Sequence, residues 1–159
     1  MPVMSDLRIR KATIVNIPLI AALFQATLKK VNIRDYTPEQ IEAWGKKANE
    51  NRWRELFAGD LVFMMAEKNG ELAGFTSVNA NGYIHSMFVD YRQQRRGIAT
   101  LLLHEAELFA KYKSAERLTS EVSITARPFF EKHGFCVIRE NVVNIGEVVM
   151  TNYSMEKLL

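Results

Sequence analysis

The first sixty residues pair one strand-like segment with several segments of helical spacing. LRIR, residues 7–10, alternates apolar and polar side chains and predicts a first strand. NIP, residues 16–18, supplies a helix start, and the helix extends to about Leu28. TPEQ, residues 37–40, is a capping box with proline at the first helical position and predicts a second helix. RWRELFAG, residues 52–59, predicts a third.

After residue 60 the pattern changes to short apolar runs separated by turn signals. The runs LVFMMAEK, ELAGFTSVNA and YIHSMFVD are separated by Asn69-Gly70 and Asn81-Gly82. An Asn-Gly pair between strand-like runs is a strong hairpin signal, because both residues tolerate a positive φ. We therefore predict an antiparallel meander of strands two, three and four.

The rest of the chain alternates helix and strand signals. Residues 97–113 have helical spacing, RLTSEVS is strand-like, and TARPFFEKHG predicts a short helix ended by Gly134. FCVIRENVV and EVVMTNYSM predict a closing strand pair around residues 144–146. The order predicts one α/β domain over residues 1–159, with a mostly antiparallel central sheet flanked by helices and with strands four and five parallel.

Composition and charge restrict the classes of protein. The chain has 159 residues, of which 48% are hydrophobic and 25% charged, and it lacks both a signal-peptide pattern and a long uninterrupted apolar run. We expect a soluble, cytoplasmic protein without a membrane partner. The 21 basic and 18 acidic residues are mostly dispersed, and no nucleic-acid-binding motif accompanies them, so nucleic acid is an unlikely partner.

Cysteine and histidine usage argues against disulfide and metal chemistry. Cys136 is the single cysteine, and its apolar neighbours favour a small core residue over a nucleophile. No Cys/His cluster has metal-ligand spacing, so we expect no metal site.

The segment RQQRRG, residues 92–97, concentrates basic charge where strand four gives way to the long helix. The first N–H groups of a helix have no intrahelical partner and attract anions. Gly97 and Ala99 leave room for a bulky anion, and arginines add charge-assisted hydrogen bonds to phosphate. The spacing matches neither a nucleotide P-loop nor a dinucleotide-binding loop. A solvated basic turn is the alternative interpretation.

Residues 94–99, QRRGIA, match Q/R-x-x-G-x-G/A, the pyrophosphate-binding signature of the GNAT superfamily of acetyl-CoA-dependent N-acetyltransferases. The element order also resembles the GNAT order over almost the whole chain. A second GNAT motif, N-x-x-A-x-x-x-Y-x-x-x-G-F, is present in frame, but Ser123 and Phe130 replace its polar residues. ARPFFEKHGF is similar to a branch of uncharacterised bacterial GNAT proteins.

The resemblance implies a GNAT-like fold and acetyl transfer from acetyl-CoA to a primary amine, without a metal. It also implies the residues that contact the donor: Met87, Phe88, Val89, Gln94, Arg95, Arg96, Gly97, Ile98, Ala99, Thr100, Ser123 and Phe130. Many relatives dimerise through their closing strands, so the resemblance makes a homodimer possible, but the sequence does not decide the oligomeric state. A non-catalytic CoA-binding or regulatory module is the alternative function.

Candidate catalytic groups lie on the predicted strands. His85 interrupts the apolar strand four and is the first candidate base, with a bonded core or edge histidine as the alternative, and Glu121 is the second. Phe130 has no proton for the departing thiolate, so Tyr153 is a candidate acid, with Tyr83 as another. The candidate residues of an acceptor pocket are Tyr36, Gln40, Trp44 and Trp53. The alternative is that these side chains belong to the ordinary core.

Overall fold

The structure is a computed structural model that describes residues 6–159. Seven strands and five α-helices follow one another in chain order. Their bounds are β1 Leu7–Lys11, α1 Ile17–Lys30, α2 Pro38–Lys47, α3 Glu50–Ala58, β2 Val62–Lys68, β3 Glu71–Val78, β4 Tyr83–Val89, α4 Ile98–Tyr112, β5 Arg117–Ser123, α5 Arg127–Lys132, β6 Cys136–Ile145 and β7 Val148–Leu158.

The strands form one mixed sheet in the order β1-β2-β3-β4-β5-β7-β6. β4 and β5 are parallel, and every other neighbouring pair is antiparallel. The predicted fold class is therefore confirmed. The hairpin between β2 and β3 turns at Asn69 and Gly70, whose φ angles are 52° and 82°, as a two-residue primed turn requires.

Helices cover both faces of the sheet. On one face α1, α2 and α3 bury an apolar layer in which Ile20, Phe24 and Trp53 pack with Phe63 and Phe75 of the sheet. On the other face α4 and α5 complete two further clusters. Burial of these apolar side chains is the main force that holds the three layers together.

α4 lies very close to β3 because residue 74 is glycine. A Cβ built on Gly74 would be 2.9 Å from the carbonyl oxygen of Phe88 and 3.2 Å from both Ile98 Cγ2 and Leu102 Cδ1. The first turn of α4 is thereby seated against the sheet beside the end of β4. This contact fixes the position of the basic segment that precedes α4.

Several element ends differ from the predictions. α1 continues to Lys30, and α3 begins at Glu50 because the Asn49 side chain accepts the Arg52 N–H. The closing hairpin turns at Gly146 and Glu147, so Asn144 lies inside the ladder opposite Val149. β7 lies between β5 and β6, an order that the sequence pattern did not predict.

The interpretation of Cys136 as a core residue is wrong, because this cysteine is exposed. Its neighbour Phe135 takes the core position at 3% exposure. One stretch, Ile14–Arg34, is long and apolar enough to cross a membrane by length and composition. It contains α1, which buries Ile20 and Leu28 in the core, and a core helix meets the same criterion.

Candidate active site

The sheet splits between its two parallel strands. β4 and β5 are paired only through Tyr83 with Thr119 and Ile84 with Ser120, although β4 continues to Val89. The register between β3 and β4 shifts at this point, so that His85 and Ser86 together face Ser77. Such a bulge bends the strand and re-aims its side chains. β4 and β5 therefore diverge from His85 onward and leave a cleft.

The basic segment forms the start of α4 at one mouth of this cleft. Gly97 is the N-cap, with a left-handed φ of +80°, and its carbonyl accepts the first helical hydrogen bond from Leu101 at 3.0 Å. The N–H groups of Ile98, Ala99 and Thr100 precede that bond. A Cβ added to Gly97 would meet no atom within 4 Å. The helix start thus presents N–H donors beside open space.

The arginines of the segment have different roles. Arg92 folds back on Asp90 with a bidentate contact, at 3.2 Å from Nε to Oδ1 and 2.9 Å from Nη2 to Oδ2. This contact holds the pKa of the Asp90 carboxyl below its usual range. Arg95 and Arg96 are exposed. Only part of the predicted basic cluster is therefore available to a ligand.

A cavity of about 230 Å³ runs from the basic segment along β4, and we call it the loop-side cavity. Its lining contains most of the predicted donor residues, namely Met87, Phe88, Val89, Gln94, Ala99, Ser123 and Phe130. Gln94 Nε2 donates to Val89 O at 2.7 Å, which ties the segment to the end of β4. Ile98 is buried at 2% exposure and does not line this cavity.

A second cavity of about 270 Å³ lies among α1, α2, α3 and the sheet, and we call it the aromatic cavity. Three of the four predicted acceptor residues, Tyr36, Trp44 and Trp53, line it. Gln40 instead donates from Nε2 to Val149 O at 2.8 Å and fastens α2 to β7. Tyr36 also has a structural role, because its hydroxyl donates a hydrogen bond to Thr151 O at 2.8 Å.

The two cavities meet where β4 and β5 separate. The residues that line both of them are Trp44, His85, Ser86, Phe88, Glu121 and Ser123. A molecule in the loop-side cavity and another in the aromatic cavity would therefore approach each other beside His85 and Glu121.

His85 has the properties of a neutral ring. Burial, followed by the charges of Arg52 and Lys47, lowers the pKa of its imidazole from the ordinary value. Its Nδ1 is buried and has no hydrogen-bond partner among residues 6–159. The alternative interpretation, a core or edge histidine bonded to a neighbouring backbone group, gains no support from Nδ1.

Glu121 is held by two side chains from the closing strands. Asn141 Nδ2 and Ser154 Oγ both donate to Glu121 Oε2, at 2.8 and 2.7 Å. These two contacts fix the direction of the Glu121 carboxyl group. Sequence reasoning did not find Asn141 or Ser154, because the order β5-β7-β6 brings them to Glu121.

The structure places Tyr153 outside both cavities. In register it pairs with Val122, so it lies on the face opposite to Glu121, and the guanidinium of Arg127 covers its ring at 4.5 Å. Tyr83 does line the aromatic cavity, and burial, with the Glu121 charge, raises the pKa of its phenol. Tyr153 is not among the residues that line either cavity, although its register partner Val122 lines the loop-side cavity, and its role as the acid stays a prediction.

Phe130 lines the loop-side cavity as a buried apolar ring, packed edge-on against Phe135 at 4.9 Å. Thr125, which the sequence analysis did not single out, lines the same cavity, and its Oγ1 is buried with no partner in the described chain. Within residues 6–159 no group of three His, Cys, Asp or Glu side chains could hold a metal ion.

Comparisons with known proteins agree with this geometry. A family model described as "Acetyltransferase (GNAT) domain" matches residues 32–157. The chain is 34% identical over 152 residues to the uncharacterized N-acetyltransferase YafP of Escherichia coli K12, with 96% of each chain covered.

Solved structures extend the similarity. A GCN5-related N-acetyltransferase from Rhodopseudomonas palustris superposes with a TM-score of 0.92 at 29% identity, covering 100% of this chain and 99% of the other. PaiA N-acetyltransferase of Thermoplasma acidophilum, solved in complex with coenzyme A, has the same fold, with a TM-score of 0.79 at 21% identity over 97% and 99% of the two chains.

Together the family match, the relative and the fold define an acyltransferase. The chain belongs to the GNAT family of acetyltransferases, whose members use acetyl-CoA. The resemblance on QRRGIA and the second motif is thereby confirmed at the level of family and fold.

Proposed function

We propose that this protein transfers an acetyl group from acetyl-CoA to a primary amine in the cleft between β4 and β5. The observation that carries the proposal is the meeting of the two cavities beside His85 and Glu121. One cavity leads to the start of α4 and takes the donor. The other is walled by aromatic rings and takes the acceptor.

The start of α4 would hold the pyrophosphate of the donor. The N–H groups of Ile98, Ala99 and Thr100 and the positive end of the helix dipole suit an anion. The open space at Gly97 allows the phosphate oxygens to approach the backbone. Arg95 and Arg96, both exposed, would add charge-assisted hydrogen bonds.

The pantetheine arm would lie along β4. Beyond Ile84, β4 has no strand partner on the β5 side in the described chain, so backbone groups of Met87, Phe88 and Val89 can pair with the arm. Backbone N–H groups aimed at the thioester oxygen stabilise the negative charge that develops during attack. The unpartnered hydroxyl of Thr125 adds a donor or acceptor in the same cavity.

The reaction requires a neutral amine. Its nitrogen lone pair forms a bond to the thioester carbon, and the carbon-sulfur bond of the resulting tetrahedral adduct breaks. One N–H proton leaves the nitrogen and ends on the departing thiolate. The products are the N-acetylated amine and CoA thiol.

His85 would carry this proton. Its lowered pKa keeps the ring neutral near pH 7, as a base requires. Because it lines both cavities, one ring can accept the amine proton and return it to sulfur. Glu121, oriented by Asn141 and Ser154, would accept a hydrogen bond from the amine N–H beside the ring. This route does not require a hydroxyl at Phe130.

The test is thiol release from acetyl-CoA with and without a panel of primary amines, together with mass spectrometry of the products. Amine-dependent release with an N-acetylated product supports the proposal. The rival function, a non-catalytic CoA-binding module, is favoured by Phe130 and predicts binding of acetyl-CoA without turnover by any amine. That outcome would reject the proposed function.

A further inference from the structure

We infer that the acceptor is a small amine with an aromatic or similarly flat apolar body and an anionic group such as a carboxylate. This inference rests on the proposed function and narrows its substrate class. It is carried by the composition of the aromatic cavity and by the placement of charge around that cavity.

The wall of the cavity is a cluster of rings packed edge to face. Phe24 is the centre of the cluster, with ring centroids 4.9 Å from Phe88, 5.6 Å from Trp53 and 6.1 Å from Trp44. Further apolar side chains complete the lining: Ala48, Leu56, Val143, Ile145 and Met150. Such a wall favours a flat apolar body, because rings pack well edge to face or offset and their burial is favourable.

The volume of about 270 Å³ suits a small body. It is near the lower end of the range for ligand pockets, roughly 300–1,000 Å³. A single ring with a short amine arm is therefore a better match than a large multi-ring molecule.

Two cations line the same cavity. Lys47 is the last residue of α2, and Arg52 lies in the first turn of α3, so the short connection between these helices brings both side chains to the cavity. Arg52 has one described ion pair, a long 3.7 Å contact with the exposed Glu55. Lys47 has no ion pair within residues 6–159. Both side chains can therefore bind an anion of a ligand.

A buried donor in the wall points to the same chemistry. Trp53 is 3% exposed and lines the cavity, and its Nε1 has no hydrogen-bond partner in the described chain. An indole N–H is only a donor, so a ligand oxygen would satisfy it. Leaving such a buried donor unpaired is unfavourable.

The charges arrange the acceptor along the cavity. Glu121, at the junction, attracts the amine end, while Lys47 and Arg52 attract an anionic group. A polyamine or a lysine side chain would bring no anion for these cations, and a second ammonium of a polyamine would be repelled by them.

The experiment compares four acceptors with the full-length protein: phenethylamine, phenylalanine, 4-(2-aminoethyl)benzoate and spermidine. The two acidic aromatic amines place the carboxylate near to or far from the amine. The variants are Arg52→Gln and Lys47→Gln, and the matched controls are Arg54→Gln and Lys46→Gln. The control residues are neighbours on the same helices, pair with Glu50 and Glu42, and do not line the aromatic cavity.

We expect at least one acidic aromatic amine to exceed both phenethylamine and spermidine in kcat/KM by about tenfold or more, as a charge-assisted hydrogen bond allows. Arg52→Gln or Lys47→Gln should remove most of that advantage through KM. The two control variants should keep it.

Three results would overturn the inference. The first is a preference for spermidine, and the second is equal rates for neutral and acidic aromatic amines. The third is that the variants and the controls lose the advantage of the acidic amines equally. Turnover of spermidine alone would leave the proposed function intact. If no amine is acetylated by a protein that binds acetyl-CoA, the proposed function itself fails, and the inference fails with it.

Discussion

His85 on β4 and Glu121 on β5 are the first residues beyond the last bridge between these strands, which joins Ile84 to Ser120. Both side chains line the loop-side cavity and the aromatic cavity. The point where the sheet opens is therefore also the point where a neutral imidazole and a fixed carboxylate come together.

Replacing His85 with glutamine should reduce kcat for amine acetylation by about a hundredfold, because a positioned base contributes at least that much. Glutamine keeps a polar group of similar size but cannot accept the proton at neutral pH. Affinity for acetyl-CoA, measured by calorimetry, should stay close to wild type. An unchanged kcat in a folded variant would show that the proton takes another route.

The pH dependence of kcat should report the titration of His85. His85 acts as a base only when neutral, and its pKa is lowered from the ordinary value near 6.5. The limb that reports His85 should therefore lie below about pH 6.5, and it should be absent in His85→Gln, in which a limb from protonation of the acceptor amine would remain. A limb centred well above neutral pH in wild type alone would contradict the assignment.

The lowered pKa of His85 should also make the free energy of unfolding depend on pH. The unfolded chain binds the His85 proton more tightly than the folded protein does, so the free energy of unfolding should decrease as the pH falls from about 6.5 toward the folded pKa. Denaturant titrations of wild type and His85→Gln should differ in this window. Parallel pH profiles for the two proteins would contradict a buried neutral ring.

Glu121→Gln removes a charge while keeping the shape of the side chain. We expect KM for the acceptor amine to rise by about tenfold, since a charge-assisted hydrogen bond to the amine is lost, with acetyl-CoA affinity unchanged. Glu140→Gln, on the edge strand β6 and exposed, is the control. Equal KM values for the two variants would remove Glu121 from the acceptor site.

Tyr36→Phe should lower the free energy of unfolding. The Tyr36 hydroxyl accepts the Ile124 N–H at 2.9 Å and contacts Thr151 O at 2.8 Å, so its loss leaves two backbone groups without this partner. The expected cost is about 1–3 kcal/mol. Tyr112→Phe should cost little, because Tyr112 is 82% exposed, and it serves as the control. Equal denaturation midpoints would show that the bridge contributes nothing.

Local patterns predicted much of the fold. The Asn69-Gly70 turn, the capping box at Thr37 and the helical spacing after Gly97 each depend on neighbouring residues, and the structure contains all three. The second predicted hairpin is present, but it turns over residues 79–82, where the Gly82 N–H donates to Asn79 O and Asn81 does not have a positive φ. The prediction for Cys136 was wrong because apolar neighbours alone do not tell which side chains of a strand face the core; Phe135 is buried and Cys136 is exposed.

The candidate site was harder to predict, because much of it depends on contacts between residues that are distant in sequence. The motif predicted the start of α4, but Arg92 turns back to Asp90, two residues earlier. The Asn141 and Ser154 contacts with Glu121 depend on β7 lying between β5 and β6. The placement of Tyr153 on the far face depends on its register with Val122. The Arg92–Asp90 contact is local in sequence, but the contacts of Glu121 and the register of Tyr153 join residues that are distant in the chain.

The central claim is that the start of α4 holds acetyl-CoA for reaction in the β4–β5 cleft. Its most direct test is calorimetric titration of acetyl-CoA into wild type, Gly97→Leu and Gly70→Leu. The two glycines have φ angles of +80° and +82°, and a Cβ at either would meet no atom within 4 Å. Leucine therefore imposes similar backbone strain at both positions, but only at residue 97 would it fill the space for the pyrophosphate.

Wild type and Gly70→Leu should bind acetyl-CoA with micromolar to sub-millimolar affinity, and Gly97→Leu should bind at least about tenfold more weakly, a loss of about 1.4 kcal/mol or more. Equal affinity in the two leucine variants, or no binding to folded wild type, would contradict the account.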